Sequence, residues 1–136
     1  MHIVDACMMG PLIIPDEAGE LYDGLLPILS SGKTVVPGHW RLEVANLGRM
    51  AVRKRRLSSS QLAQVMEAMA GFHVNIDVET NGQAWTRTLD LSSQHDLTVY
   101  DAAYLELAMR LDMTLVTRDG RLAAAARSEN VPLESA

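Results

Sequence analysis

Four acidic residues stand where the surrounding pattern gives a carboxylate chemistry to do. Asp5 directly follows the apolar run His2-Ile3-Val4, and Asp119 comes two residues after the run Thr114-Leu115-Val116-Thr117. Both runs read as strands, and parallel α/β sheets place their ligands outside the carboxyl ends of strands. Glu43 lies between Trp40 and Leu47 in a stretch of helical spacing. Asp101 falls in the first turn of a helix that Thr98 can cap. A helix that follows a strand turns its first residues towards that same sheet edge, so all four acids can converge there. Like charges a few ångströms apart raise one another's pKa, and a hard divalent cation offsets that repulsion. Magnesium prefers oxygen ligands and keeps several waters. Such a site orients an attacking water and stabilises charge on a phosphodiester, which is metal-assisted hydrolysis. Each acid also has a plainer role. Asp5 or Asp119 can be a turn or N-cap residue, Asp101 a partner of the helix macrodipole, and Glu43 an exposed helix residue.

The elements that would position these acids alternate along the chain. Strands are expected at His2–Val4, Thr34–Val36, Phe72–Val78, Met113–Thr117 and Val131–Leu133. A helix is expected over Asp16–Ser30, with Ala18, Leu21, Leu25 and Leu29 in register and Pro27 kinking or ending it. Another runs from His39 to Arg53, burying Trp40, Val44, Leu47 and Ala51. Ser58 to Gln61 fits a capping box before Leu62, Val65, Met66 and Met69, and Gly71 suits a left-handed stop. Further helices are expected over Gly82–Gln94, Val99–Leu111 and Asp119–Arg127. This order predicts an α/β fold, a mainly parallel sheet with helices on both faces.

Composition narrows the function. The chain has 136 residues, which suits one domain spanning 1–136. A single cysteine, Cys7, excludes an internal disulfide and fits a reducing, cytoplasmic setting. The histidines never fall four apart, so a zinc site of usual spacing is not expected. No apolar run reaches the roughly 18 residues of a membrane helix. Net charge is −5, which argues against a generic nucleic-acid coat, and 4% aromatics argue against base stacking as the main grip. Even so, Arg53, Lys54, Arg55 and Arg56 form a basic run at the end of the helix that carries Glu43. That run lies about 15 Å along the helix, within reach of an RNA strand. The plainer reading is a solvated helix C-terminus.

The chain resembles the PIN-domain ribonucleases of the VapC-type toxin group. The likeness runs nearly end to end: Ile-Val-Asp-Ala at 3–6, Pro-Asp-Glu at 15–17, Val-Pro-Gly-His-Trp-Arg-Leu-Glu-Val-Ala-Asn at 36–46 and Arg-Lys-Arg-Arg-Leu-Ser at 53–58. Its most specific piece is Leu-Thr-Val-Tyr-Asp-Ala-Ala-Tyr-Leu-Glu-Leu-Ala at 97–108, followed by Leu-Val-Thr-Arg-Asp at 115–119. The resemblance implies a three-layer α/β/α fold with four to five strands. It implies a magnesium-dependent endoribonuclease, with manganese as a substitute ion. Asp5, Glu43, Asp101 and Asp119 would be the catalytic metal-binding set, with Asn46, Thr117 and Cys7 around them. It also implies a homodimer and a cognate VapB-type antitoxin that covers the groove and supplies all DNA binding. A mean hydropathy of +0.03 is high for so small a chain, and such interfaces would absorb that surface.

Two departures stand out. Cys7 takes a place where the family carries Ser or Thr. A thiol is a weaker donor and a softer ligand, which would lower metal affinity or make the site oxidisable; the alternative is a small buried side chain tolerated there. Met8-Met9-Gly10-Pro11-Leu12-Ile13-Ile14 replaces a stretch that often holds Trp, and reads as a partner surface or as core. The Cys7 departure also motivates a second function, an inactive PIN scaffold that mainly binds the antitoxin.

Overall fold

The computed structural model describes residues 1–134, and for residues 20–22 the backbone alone. Strands buried on both faces read as continuous apolar runs rather than alternating ones. Three strands are of that kind: β1 (His2–Val4), β2 (Thr34–Val36) and β4 (Thr114–Val116). Ile3, Val4, Val36, Leu115 and Val116 have no exposed surface. β3 (Val74–Ile76) and β5 (Leu133–Glu134) close the edges. The order is β3-β2-β1-β4-β5 and every pairing is parallel. β1 is thus the central strand. Its residues Ile3 and Val4 pair with Leu115 and Val116, so β1 and β4 end level with each other.

The helices are α1 (Gly10–Ile13), α2 (Glu20–Ser30), α3 (Trp40–Arg53), α4 (Ser59–Met69), α5 (Thr80–Gln83), α6 (Leu89–His95), α7 (Val99–Leu111) and α8 (Gly120–Ser128). A π-helical turn, Ala84–Thr88, joins α5 to α6. The expected alternation and the α/β/α architecture are therefore present, with five strands. Among the described residues no helix is long and apolar enough to cross a membrane.

Some expected boundaries move. The α2 helix starts at Glu20, not Asp16: Pro15–Glu17 form a 3₁₀ turn, and Gly19 adopts φ 154°, a conformation open to glycine. Pro27 does not end it, since the helix runs on to Ser30. Leu25 and Leu29 are buried as expected, whereas the side chain of Leu21 lies outside the described residues. The capping box at Ser58 and Gln61 is formed in both directions. Gly71, however, is not left-handed; α4 stops after Met69, and Ala70 stays helical at φ −62°. The stretch after β1 is core rather than a partner surface. Met8, Met9, Ile13 and Ile14 are all buried in the main cluster.

An ion cluster fixes where α3 begins. Arg110 Nε lies 2.7 Å from Glu106 Oε1, Nη2 lies 2.8 Å from Asp77 Oδ2, and Nη1 lies 3.0 Å from Glu79 Oε2. Asp77 Oδ2 accepts the Thr80 hydroxyl at 2.7 Å, and Thr80 Oγ1 accepts the Gly38 N–H at 3.0 Å. Gly38 directly precedes His39, the residue at the start of α3, so this chain of bonds sets the position of Glu43 one turn on. Glu106 is only 2% exposed, and a buried carboxylate stripped of its partner is costly. Arg110→Met should therefore lower unfolding free energy by about 3 kcal/mol in urea titrations. A loss under about 1 kcal/mol would mean that the cluster is solvated and holds nothing in place.

Candidate active site

The central strand delivers its acid first. Asp5 follows β1, is 4% exposed, and its backbone N–H donates to Val116 O at 3.0 Å. Its carboxylate is held from two sides. The Thr117 hydroxyl donates to Oδ2 at 2.7 Å, and Cys7 Sγ donates to the same oxygen at 3.0 Å. The Cys7 N–H donates to Oδ1 at 3.3 Å. Burial nevertheless holds Asp5 above the usual carboxylate range, with those hydrogen bonds acting against it. Burial and the neighbouring Asp5 charge also push the Cys7 thiol up to about 12. Only the thiolate is strongly nucleophilic, so Cys7 is not primed for oxidation. It serves Asp5 as a donor, the part a hydroxyl would play.

Thr117 links two of the acids. Its single hydroxyl proton goes to Asp5, and its oxygen accepts the Asp119 N–H at 3.0 Å. Asp119 in turn is the N-cap of α8, with Oδ1 accepting the Leu122 N–H at 2.9 Å. The plainer capping role expected of Asp119 is therefore real, and it coexists with a place at the site. Asp101 sits in the first turn of α7 behind its cap Thr98, whose Oγ1 accepts the Asp101 N–H at 3.1 Å.

Glu43 is fixed by residues that sequence reasoning did not single out. The Tyr104 hydroxyl donates to Glu43 Oε1 at 2.7 Å and accepts the Ala6 N–H at 3.3 Å. His39 Nε2 stands 2.9 Å from the same Oε1, at ion-pair distance but off the axis of a hydrogen bond. Burial raises the Glu43 carboxyl, yet His39 and Tyr104 outweigh it and hold Glu43 below its ordinary value. Of the two, only His39 left a local signal, four residues before Glu43. Asn46, expected to hydrogen-bond here, lines the site without a side-chain partner among the described residues.

All four acids line one recess of about 240 Å³, together with Ala6, Cys7, Asn46, Leu47 and Met50. Burial, and after it the charges of Asp5, Asp119 and Glu43, push Asp101 up to about 6. Asp5, Asp101 and Asp119 face no Lys or Arg in an ion pair among the described residues. The donors are oxygens, uncompensated and mutually repelling, which suits a hard cation. Among the described residues no group of three His, Cys, Asp or Glu is spaced to hold one ion directly. The basic run is less open than expected. Arg56 is committed to Asp16 at 2.7 Å and Glu17 at 3.0 Å, whereas Arg53, Lys54 and Arg55 are exposed.

Comparison with known proteins fits this geometry. Ribonuclease VapC3 of Pyrobaculum aerophilum is 27% identical over 121 residues, covering 89% of this chain and 91% of that protein. The crystal structure of PAE2754, also from Pyrobaculum aerophilum, superposes with a TM-score of 0.67 at 22% identity, over 91% of this chain and 84% of the other. That of FitAcB from Neisseria gonorrhoeae gives 0.64 at 16% identity, over 99% and 97%. Residues 3–128 match the PIN domain family, and with its acids gathered at the carboxyl edge of a parallel sheet the chain belongs to that family.

Proposed function

We propose that this chain is a divalent-metal-dependent endoribonuclease of the VapC kind, the toxin partner of an antitoxin. The observation that carries this reading is the recess in which Asp5, Glu43, Asp101 and Asp119 meet, three of them with no basic partner among the described residues. Likeness to a protein named Ribonuclease VapC3 supports it. Magnesium, or manganese in its place, would lower the pKa of a bound water and offset charge on the scissile phosphate. Asp5 would hold such an ion directly, and Asp101 and Asp119 would hold it directly or through water. Glu43, kept ionised by His39 and Tyr104, orients the attacking water. Thr117 and Cys7 keep Asp5 aimed, and Asn46 borders the path of the substrate. Arg53, Lys54 and Arg55 offer phosphate contacts further along the strand.

The scaffold alternative rested on Cys7. Cys7 donates to Asp5 in the place of a hydroxyl, though as a weaker donor, which favours the active reading over the scaffold. The partners in this reading are a VapB-type antitoxin and a second copy of the chain in the cytoplasm. Exposed Leu42, Val78 and Trp85 are apolar surface for such contacts.

Asp5→Asn should reduce cleavage of total cellular RNA by on the order of a hundredfold or more while leaving the melting curve cooperative. EDTA should do the same to the unmodified protein. Equal cleavage by the variant, or full activity in EDTA, would end this reading.

The perturbation of Asp101, from burial first and then from its acidic neighbours, is measurable. Asp101 loses its proton near 3.8 when unfolded and near 6 when folded. The folded state therefore binds the extra proton between those values, and the contribution of Asp101 to stability falls as pH rises through that window. In EDTA, the melting temperature of Asp101→Asn should gain on that of the unmodified protein as pH rises from about 4 to about 6. Millimolar magnesium should narrow the gap at the upper end. A gap that does not change with pH would mean that Asp101 is not held above its ordinary value in the folded chain.

A further inference from the structure

Behind His39 lies a second, smaller recess of about 130 Å³, lined by His39, Thr80, Ala84, Thr88, Val99 and Tyr100 among others. It adjoins the acidic recess through two elements. His39 stands against Glu43, and the first turn of α7 gives Asp101 to one recess and Val99 and Tyr100 to the other. Thr88 is 3% exposed, and its Oγ1 is buried with no hydrogen-bond partner among the described residues. A buried hydroxyl left unpaired is costly, which points to an occupant of the recess. The backbone that presents Thr88 is the π-helical turn Ala84–Thr88, a rare geometry that concentrates at functional sites.

The chemistry of the recess restricts what fills it. No Lys or Arg lines it, which disfavours a phosphate or other anion. A water takes up about 30 Å³ of liquid, so the space holds about four waters or one flat heterocycle, and not a ligand of several hundred Å³. At its mouth the Tyr100 side chain is 60% exposed, and its ring centroid lies 5.8 Å from that of His39. An aromatic face beside inward polar atoms is how proteins read an unstacked base of single-stranded RNA.

We propose that this recess takes one unstacked nucleobase of the RNA, from the nucleotide next to the phosphodiester held at the acidic recess. The Tyr100 ring is its stacking face, the Thr88 hydroxyl meets its edge, and the His39 ring, held by Glu43, forms part of the wall. This rests on the nuclease reading and adds a source of base preference at the cut. A neutral ring is also the part of a nucleotide that the neighbouring carboxylates do not repel.

The test uses the four free nucleosides (adenosine, cytidine, guanosine and uridine) titrated into the intact chain, with the methyl resonances of Val99 and Thr88 observed by NMR. At least one nucleoside should shift both saturably. Thr88→Val and Tyr100→Ala should each weaken that binding about fivefold or more, and Thr88→Ser should restore it. In parallel, sequencing of RNA ends after magnesium-dependent cleavage should reveal a favoured base beside the cut, flattened by Thr88→Val and retained by Thr88→Ser. If no nucleoside moves these methyls, or if both variants bind as the unmodified chain does, the inference falls while RNA cleavage still stands. If no RNA is cut with magnesium present, the nuclease reading falls, and the titration still decides whether the recess holds a base.

Discussion

Mutual repulsion among carboxylates is the constraint around which this molecule is organised. Four acids brought to one recess would disperse if they sat on free loops. Here each is mounted on something packed. Asp5 caps the central strand, Glu43 and Asp101 ride in the first turns of α3 and α7, and Asp119 starts α8. The apolar core bears the cost of holding them; burial first, and the neighbouring carboxylates after it, raise the pKa of Asp101. Charge is left uncompensated on the side facing the recess. The stabilising hydrogen bonds come from behind, from Thr117, Cys7, Tyr104 and His39.

Two roles that compete on paper coexist here. Asp119 caps a helix through one oxygen while still facing the recess, and Asp101 sits in a capped first turn where a macrodipole favours it. Local helix chemistry and site chemistry ask for the same residue at the same place. A carboxylate that stabilises its own helix is cheaper to keep beside three others.

The strands and the four acids were legible because their signals are local. Apolar β-branched runs ending in an acid, and caps such as Ser58 and Thr98, act within one turn of chain. The supports of Glu43 were not legible in the same way. Tyr104 reaches it from 61 residues away, and nothing in local spacing shows that a tyrosine of α7 will donate to a glutamate of α3. The ion pairs of Arg56 with Asp16 and Glu17 are equally long in range, so a basic run that looks free in sequence is partly spoken for. Gly71 failed for a different reason. A glycine after a helix permits a left-handed stop without requiring it, and α4 ended through an ordinary helical residue. At Met8 to Ile14, composition alone could not separate a sticky surface from core, because the answer depends on the strand beside which the segment folds back.

The central place of β1 has a consequence for motion. Its backbone is paired to β2 on one side and β4 on the other, so Asp5 cannot detach unless two ladders part together. Tyr104, without exposed surface, ties the residue after Asp5 to α3 as well. Fraying at the edge strands therefore leaves the acids in register, and amide exchange at the end of β1 is coupled to global opening of the chain. Control of such a site has to come from what covers the recess, since the frame beneath it has no partial way to loosen.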